Sequence, residues 1–597
     1  MGIPHLTRHL VSFSEPIRLG GHGKSPEDGI KSVTSVVIDG PSLVYHIFST
    51  LLSWMDVHLN PFDAQPTCEE VSVAVMTYLV QLRIANVHVV KIYFDGALPL
   101  SKRDTRLSRL EKSRRKLETF CMTNRKGFKI SRTGREPLLI DPYKVLQSRS
   151  IPERYKNLPG NQFMVSSVFE DLKYRWNWFN IKKTSEIFAK MSLFRDSDYP
   201  WADICEIVPG EADIYCGELL KENQGTAVLT NDSDLLVHDL GAQGLVIFLN
   251  SVEMEGWNPE HPANAEIKAM GLCPATLSRR LGILGVQYLA YELKLDPHAG
   301  IRELIRRSKL VPETAEQSPA YIQFMEEYRP RKDITYCPSF DPSVLQTLDT
   351  RVSELVLQYV SEPVLGEDVP QIYFPVLHED HSRRSAWIEG RNIRCLGYSL
   401  LNAFRASQER YPVVIECVRR GCRFCFDEIG LYDDGCIELE LRTLLSRLRL
   451  VQEVTGQDPS SSIFWRIYAL NELYNCSDGT LTWPSREELR RFFAFEYTDE
   501  RMEWTDIHTL ARVQAVLYSL RILTQILHVI PVHGGTKREV QMLLACLPPL
   551  HVLMRSWSEL RRELRCELSS KDTTNSFVNM IGSVHELIGA QHTEECC

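Results

Sequence analysis

No stretch of this chain is apolar for long enough to read as a membrane span. The most apolar late segment, Ala511 to Val532, is interrupted by Arg512, Arg521 and His528, as a buried helix would be. Positive charge is also scarce: 68 Lys and Arg stand against 77 Asp and Glu, a formal net charge of -9. Contact with a polyanion therefore has to come from a local patch. The sixteen cysteines are spread singly, often in apolar runs such as Leu543-Leu544-Ala545-Cys546. That pattern excludes a disulfide framework and favours reduced, buried thiols in an intracellular protein. The opening residues MGIPHLTRHL carry no apolar run behind a basic one, so no cleaved secretory signal is expected. Leu6 stands where a myristoylation signal wants Ser or Thr. Internal repeats and low-complexity tracts are missing too. With 44% hydrophobic and 24% charged residues in 597, the composition is that of two or three globular domains.

What is present changes character along the chain. Up to about residue 300, short β-branched runs alternate with helical patterns, which predicts an α/β domain with a mainly parallel sheet flanked by helices. The strands are expected at Ser35 to Ile38, Val87 to Phe94, Thr226 to Leu229 and Leu245 to Leu249. Between the first two, Val71, Met76, Leu79 and Leu82 supply the helical crossover that parallel strands require. From about 340 the spacing of Leu345, Leu348, Val352, Leu355, Val356 and Tyr359 is helical, and similar patterns return at 437 to 453 and 505 to 530. The expected organisation is a first domain over 1–307, a proline-rich connection over 308–342 with a short helix at Tyr321 to Tyr328, and a mostly helical domain over 343–597.

Acidic residues gather at the expected strand ends. Asp39 closes Val36-Val37-Ile38, Asp95 closes Ile92-Tyr93-Phe94, Asp232 and Asp234 follow Ala227-Val228-Leu229-Thr230, and Glu211 and Asp213 open a helix after Pro209-Gly210. In open α/β sheets the carboxyl edge of the strands is where ligands bind. Several carboxylates there suit hard divalent cations, and a pair of such ions activates water and neutralises the charge of phosphodiester hydrolysis. Each acid alone is more simply a turn or helix-cap residue. Their joint placement is what capping does not explain.

These pieces resemble the XPG and flap-endonuclease superfamily, with its PIN-like nuclease domain, and within it most the Asteroid-type branch. The matching segments are Met1-Gly2-Ile3, Val36 to Gly40, Tyr93-Phe94-Asp95-Gly96, Val208 to Asp213 and Thr230 to Leu235. Farther on, Arg383-Arg384-Ser385-Ala386-Trp387 and Arg394-Cys395-Leu396-Gly397-Tyr398-Ser399-Leu400 resemble the Asteroid branch without carrying known chemistry. The resemblance implies that Asp39, Asp95, Glu211, Asp213, Asp232 and Asp234 hold Mg²⁺ or Mn²⁺, as two ions with the second held weakly. It implies that Lys102 and Arg109 grip the scissile phosphate and that Tyr45 stacks an unpaired base, although Tyr45 reads equally well as a core helix residue. Gly2 joins Tyr45 among the implied nucleic-acid contacts.

A basic region over 101–135 fits the same picture, with thirteen Lys and Arg against three acids and a local charge of +10. Arg103, Arg106, Lys112, Arg114, Arg115 and Lys116 are its candidate nucleic-acid contacts, and Lys112 to Lys116 also reads as a nuclear-localisation cluster. The chain departs from the family in two places. Gln287, in Ile283-Leu284-Gly285-Val286-Gln287-Tyr288, stands where a further Asp is usual, and no Gly-rich helix-hairpin-helix follows.

Other motifs fail on inspection. Gly20 to Ser25 lacks the leading Gly of a phosphate-binding loop, because Arg18 stands there, and a strand follows it rather than preceding it. Cys422 and Cys425, flanked by Cys417 and Cys436, lack the second close pair of a zinc site. His378 and His381, around Glu379 and Asp380, do not form a metalloprotease motif and read as surface polar residues. Two functions follow from the sequence. One is a metal-dependent, structure-selective nuclease acting on DNA (single-stranded, flap or overhang) or RNA, in repair or processing in the nucleus, with the helical half free to bind a protein partner. The other is a catalytically weak or inactive PIN-like scaffold that binds nucleic acid or proteins.

Overall fold

Alternation along Ser35–Asp39 sends Val36 and Ile38 to one apolar core and Val37 to another. Successive strand residues point to opposite faces, so a strand buried on both sides reads as a continuous apolar run. The computed structural model describes residues 3, 5–21, 30–98, 102–129, 135–147, 149–190, 195–256, 266–310, 318–329, 341–360, 369–475, 501–531, 534–567, 579 and 582–583. Its main sheet runs in the order Lys31–Val33, Glu15–Leu19, Glu266–Leu272, Leu245–Phe248, Thr226–Thr230, Ser35–Asp39, His88–Phe94 and Cys205–Ile207, with Glu253–Glu255 added at Glu266–Leu272. The five strands from Leu245–Phe248 to Cys205–Ile207 are mutually parallel. The fold is thus α/β with a mainly parallel central sheet, followed by a helical C-terminal half. All four expected strands are present within one residue of their expected ends.

Between Ser35–Asp39 and His88–Phe94 the chain forms two helices, Gly40–Ser53 and Cys68–Ile84. The second starts in a capping box, in which Thr67 accepts from the Glu70 amide while Glu70 accepts from the Thr67 amide. These helices and Met164–Tyr174 cover one face of the sheet. Ala212–Glu222, Val286–Leu295 and Pro319–Glu326 supply apolar residues to the core on the other face. The last is the short helix expected in the connection, shifted two residues; 311–317 and 330–340 of that segment lie outside the described residues.

The C-terminal half is built around Trp504–Val529, a 26-residue helix buried on most of its circumference. Its charged groups are paired: Arg512 Nε lies 2.7 Å from Glu389 Oε1 and Arg521 Nη1 2.9 Å from Glu170 Oε1. Among the described residues no helix is long and apolar enough to cross a membrane. A three-stranded sheet within this half, Gln371–Tyr373, Val413–Arg420 and Arg423–Gly430, is an element the helical reading missed. Its hairpin turns at Gly421, whose φ of +59° favours glycine. The larger core is continuous from Ile17 to Leu560, so the two halves share it. At a few tenths to about 3 kcal/mol per buried apolar side chain, that continuity binds the halves firmly.

Three readings need correction here. Cys546 is exposed rather than buried, because it lies just past the end of helix Gly535–Leu544. Glu379 is fully buried and paired with Arg419 Nε at 2.7 Å. His378 packs edge-on against Phe62, and burial lowers its pKa to about 4. Neither is a surface residue. Cys417 pairs with Phe426 and Cys425 with Val418, so strand alternation sends the two thiols to opposite faces of the hairpin.

Candidate functional site

Both Asp-Gly dipeptides are turn sequences, yet packing demands their glycines. A Cβ on Gly40 would fall 2.8 Å from the Phe94 ring, and one on Gly96 would fall 1.9 Å from the Val208 carbonyl oxygen. The chain just after each strand therefore runs close to its neighbours, and this brings the flanking aspartates together. The individual capping roles are real as well. Asp39 Oδ1 accepts from the Ser42 amide at 3.2 Å, Asp95 Oδ1 from the Ala212 amide at 2.9 Å and Asp232 Oδ1 from the Asp234 amide at 3.0 Å. Each cap fixes the orientation of its carboxylate. Thr230 Oγ donates to Asp39 Oδ2 at 2.7 Å and accepts from the Asp232 amide at 2.9 Å, tying two of the strand ends into one network.

Asp39, Asp95, Glu211, Asp213 and Asp232 line a single cavity of about 570 Å³ at the carboxyl ends of the parallel strands. Asp234 is not on its wall; it receives the Ile3 amide at 2.8 Å and tethers the start of the chain. Arg109 and Tyr45 line the same cavity. Tyr45 is 53% exposed, so its alternative reading as a core residue does not hold. Lys102 stands at the start of helix Arg103–Thr123, with Nζ 3.0 Å from Glu211 Oε2. Gly2 lies outside the described residues.

Electrostatics single this cluster out. Burial and repulsion from Asp95 and Asp232 push Asp39 up to about 7, and burial, with repulsion from Glu211 and Asp232, pushes Asp95 to about 6. Asp234 is raised to about 7 by burial and Asp232. Asp213 is raised well above the usual carboxylate range by burial and by Asp39, Asp232, Asp95 and Asp234 in turn. Crowded acids that hold protons this tightly have the donor type and charge that suit hard divalent cations. Among the described residues no three acidic, His or Cys side chains are gathered closely enough to hold one ion together. Chelation of one ion by three of these carboxylates therefore requires side-chain rotation.

A stability consequence follows directly. The folded state keeps protons on these aspartates that the unfolded chain loses near pH 3.8. Stability in chelator is therefore expected to fall as pH rises from about 4 to about 7. Urea midpoints measured across this range in EDTA check the sign; a steady rise in the cluster's contribution would contradict it.

The basic helix is less open than its sequence implies. Arg103 lies over the Phe426 ring at 5.0 Å, and Arg106 lies over Tyr373 at 4.8 Å while pairing with Glu354. Arg114 is buried between Glu111 and Glu118, each at 2.8 Å, and Lys116 is half-buried. Packing against the second half therefore occupies Arg103 and Arg106, and Arg114 is satisfied within its own helix. Arg109, Lys112 and Arg115 remain exposed. Sequence reasoning missed the other cavity residues, among them His46, Arg149, Asn231 and Asn250. Asn231 Oδ1 accepts from the Asn250 amide at 3.0 Å and holds two of the loops together. Asn231 sits inside the quoted Thr230 to Leu235 segment; Arg149 and Asn250 carry no local signal.

Residues 160–431 match the family model described as XPG domain containing. The XPG match takes in Glu211, Asp213, Asp232 and Asp234 and, beyond them, the Arg383 to Trp387 motif. It supports an XPG-superfamily, structure-specific nuclease and nucleic-acid binding in general. No curated protein matches the chain. Gln287, within the XPG match, does not line the acidic cavity; its side chain folds back over Gly285, where an added Cβ would fall 2.1 Å from Gln287 Oε1. Gln287 sits in helix Val286–Leu295, which packs against Ile301–Ser308 across a short turn at 296–300.

Proposed function

We propose that this chain is a divalent-metal-dependent, structure-selective nuclease of the Asteroid-type branch, hydrolysing DNA with a single-stranded, flap or overhang element, in repair or processing in the nucleus. The observation that carries this reading is the cavity wall: five carboxylates from four segments, with Arg109 and Tyr45 beside them. Asp39, Asp95, Glu211, Asp213 and Asp232 would hold Mg²⁺ or Mn²⁺, with Asp234 supporting Asp232 from behind. Bound ions of this kind supply an activated water and neutralise charge on the reacting phosphate.

The chain's own residues position the substrate. Arg109 offers a planar fork of donors to a phosphate, and Tyr45 presents an exposed ring to an unpaired base. Lys102 is held by Glu211 at 3.0 Å and would be free to meet a phosphate where Glu211 serves as a metal ligand. Exposed Lys112 and Arg115 extend the positive surface along the helix, where polyanion binding is salt-dependent.

A second reading, a weak or inactive PIN-like scaffold for nucleic acid or protein partners, is favoured by Gln287 and by the spread of the carboxylates around the cavity. One experiment separates the two. Labelled single-stranded, flapped and overhang DNA and matching RNA are incubated with the protein in Mg²⁺ and in Mn²⁺, beside an Asp232→Ala/Asp234→Ala variant. Cleavage by wild type that is lost in the variant is the expected outcome. Binding without cleavage by either protein would establish the scaffold instead.

A further inference from the structure

The Arg383-Arg384-Ser385 segment and the hairpin tip at Arg420-Gly421 enclose a second cavity of about 460 Å³, on the C-terminal half. Five arginines, Arg383, Arg384, Arg391, Arg419 and Arg420, line it. Their carboxylate partners are fewer. Arg419 is neutralised by buried Glu379 at 2.7 Å, and Arg383 has Asp380 at 3.4 Å. Arg391 and Arg420 share one acid, Asp427, at 2.8 and 2.7 Å on the same oxygen. Arg384 is exposed and makes no hydrogen bond or ion pair with any described residue. Five arginines against three carboxylates leave a surplus of two positive charges.

Donors are left over as well. Arg391 Nε is buried without a hydrogen-bond partner, and Glu416 Oε2, 3.8 Å from it, is already bound by Arg394. Unmatched guanidinium donors with a net charge of this sign, in a cavity open to solvent, suit a tetrahedral oxyanion, since Arg forks bind phosphate bidentately.

A chain of contacts also joins the pocket's hairpin to the acidic cavity. Glu211 contacts Lys102, the next residue Arg103 lies over Phe426, and the residue after Phe426 is Asp427 on the opposite face of the hairpin. We propose that this arginine pocket binds a backbone phosphate of a nucleic-acid strand that also reaches the acidic cavity, acting as a second anchor on the C-terminal half. The strand assignment rests on the nuclease-fold reading of the first half; the pocket's preference for phosphate does not.

The test measures binding rather than cleavage. A labelled single-stranded oligonucleotide is titrated with the full chain in EDTA over a series of salt concentrations, using wild type, Arg384→Ala/Arg420→Ala, Arg384→Lys/Arg420→Lys and the exposed control Arg442→Ala. The alanine pair is expected to bind about ten-fold more weakly. Its plot of log affinity against log salt should be shallower by about 1, one phosphate contact on a single strand being worth about 0.7 in that slope. The lysine pair should recover part of the loss, and the control should match wild type. Thermal midpoints of all four in the absence of ligand verify folding.

Unchanged affinity and slope in a folded alanine pair would overturn the proposal. A parallel arm follows the thermal midpoint with inorganic phosphate alone. If phosphate stabilises wild type but not the alanine pair, while oligonucleotide affinities are equal, the site takes free phosphate and the strand assignment fails. Because no turnover is read, weaker binding by the alanine pair supports the anchor even if the protein cuts nothing. Cleavage by wild type with unchanged binding by the pair would remove the anchor and leave the nuclease standing.

Discussion

Asp213→Asn is expected to lower cleavage by at least about 10²-fold while making the metal-free protein more stable at pH 7.5. Asp213 is opposed by its surroundings: burial and the four aspartates Asp39, Asp232, Asp95 and Asp234 all raise its pKa. At neutral pH the fold must keep a proton on it or tolerate another negative charge among Asp39, Asp95 and Asp232. Asparagine is neutral and nearly the same shape, so the repulsion disappears and the unfolded chain no longer gains by ionising. The same change removes an oxygen ligand and a charge that a divalent ion would need. Urea denaturation in EDTA and in Mg²⁺ reads the first effect, and the cleavage assay reads the second. The variant should also flatten the fall in stability between pH 4 and 7. Lower metal-free stability with unchanged cleavage would remove Asp213 from the site.

Glu416→Gln is expected to destabilise the C-terminal half by about 3–5 kcal/mol, because it strands a buried guanidinium without its counter-charge. Glu416 and Arg394 are both fully buried, with Nε to Oε1 at 2.7 Å and Nη2 to Oε2 at 2.9 Å. Tyr398 Oη donates to the same carboxylate at 2.9 Å. Arg394 also donates to the carbonyls of Glu389 and Trp387 and to Ser519 Oγ. One side chain thereby joins the three-stranded sheet, the turn at 386–388 and the long central helix. Replacing both partners by apolar residues, Arg394→Met/Glu416→Leu, should recover much of the loss, since a well-packed apolar pair avoids the desolvation of two charges. A double-mutant cycle in urea measures the coupling. A loss below about 1 kcal/mol for Glu416→Gln would show that water reaches the pair.

That ion pair explains a segment the sequence presented without a role. In Arg394-Cys395-Leu396-Gly397-Tyr398, the Arg and Tyr grip Glu416, and Gly397 lets helix Arg391–Ala403 approach Trp504–Val529. A Cβ there would fall 3.1 Å from Ile526 Cδ1. Their partner is distant in sequence and lies on a strand within a half whose periodicity reads as helical, so pattern alone could not reveal it. The neighbouring Arg383-Arg384 behaves in the same way: as sequence it is a short basic pair, and only the fold sets it beside Arg420 and Arg391.

The sequence by itself determined the parallel-strand core and the positions of the acids along it. Both follow from local rules, in that strands buried on both faces must be apolar throughout and their carboxyl ends must carry the polar residues. Legibility stopped where the answer depended on which segments pack side by side. Tertiary structure alone decided that Asp234 stands behind the cavity wall, that Tyr45 faces the cavity, and that Arg103 and Arg106 are taken up by the second half. A positive charge is written identically in sequence whether it faces a phosphate or packs on a phenylalanine, and only the surface that arrives from hundreds of residues away distinguishes the two.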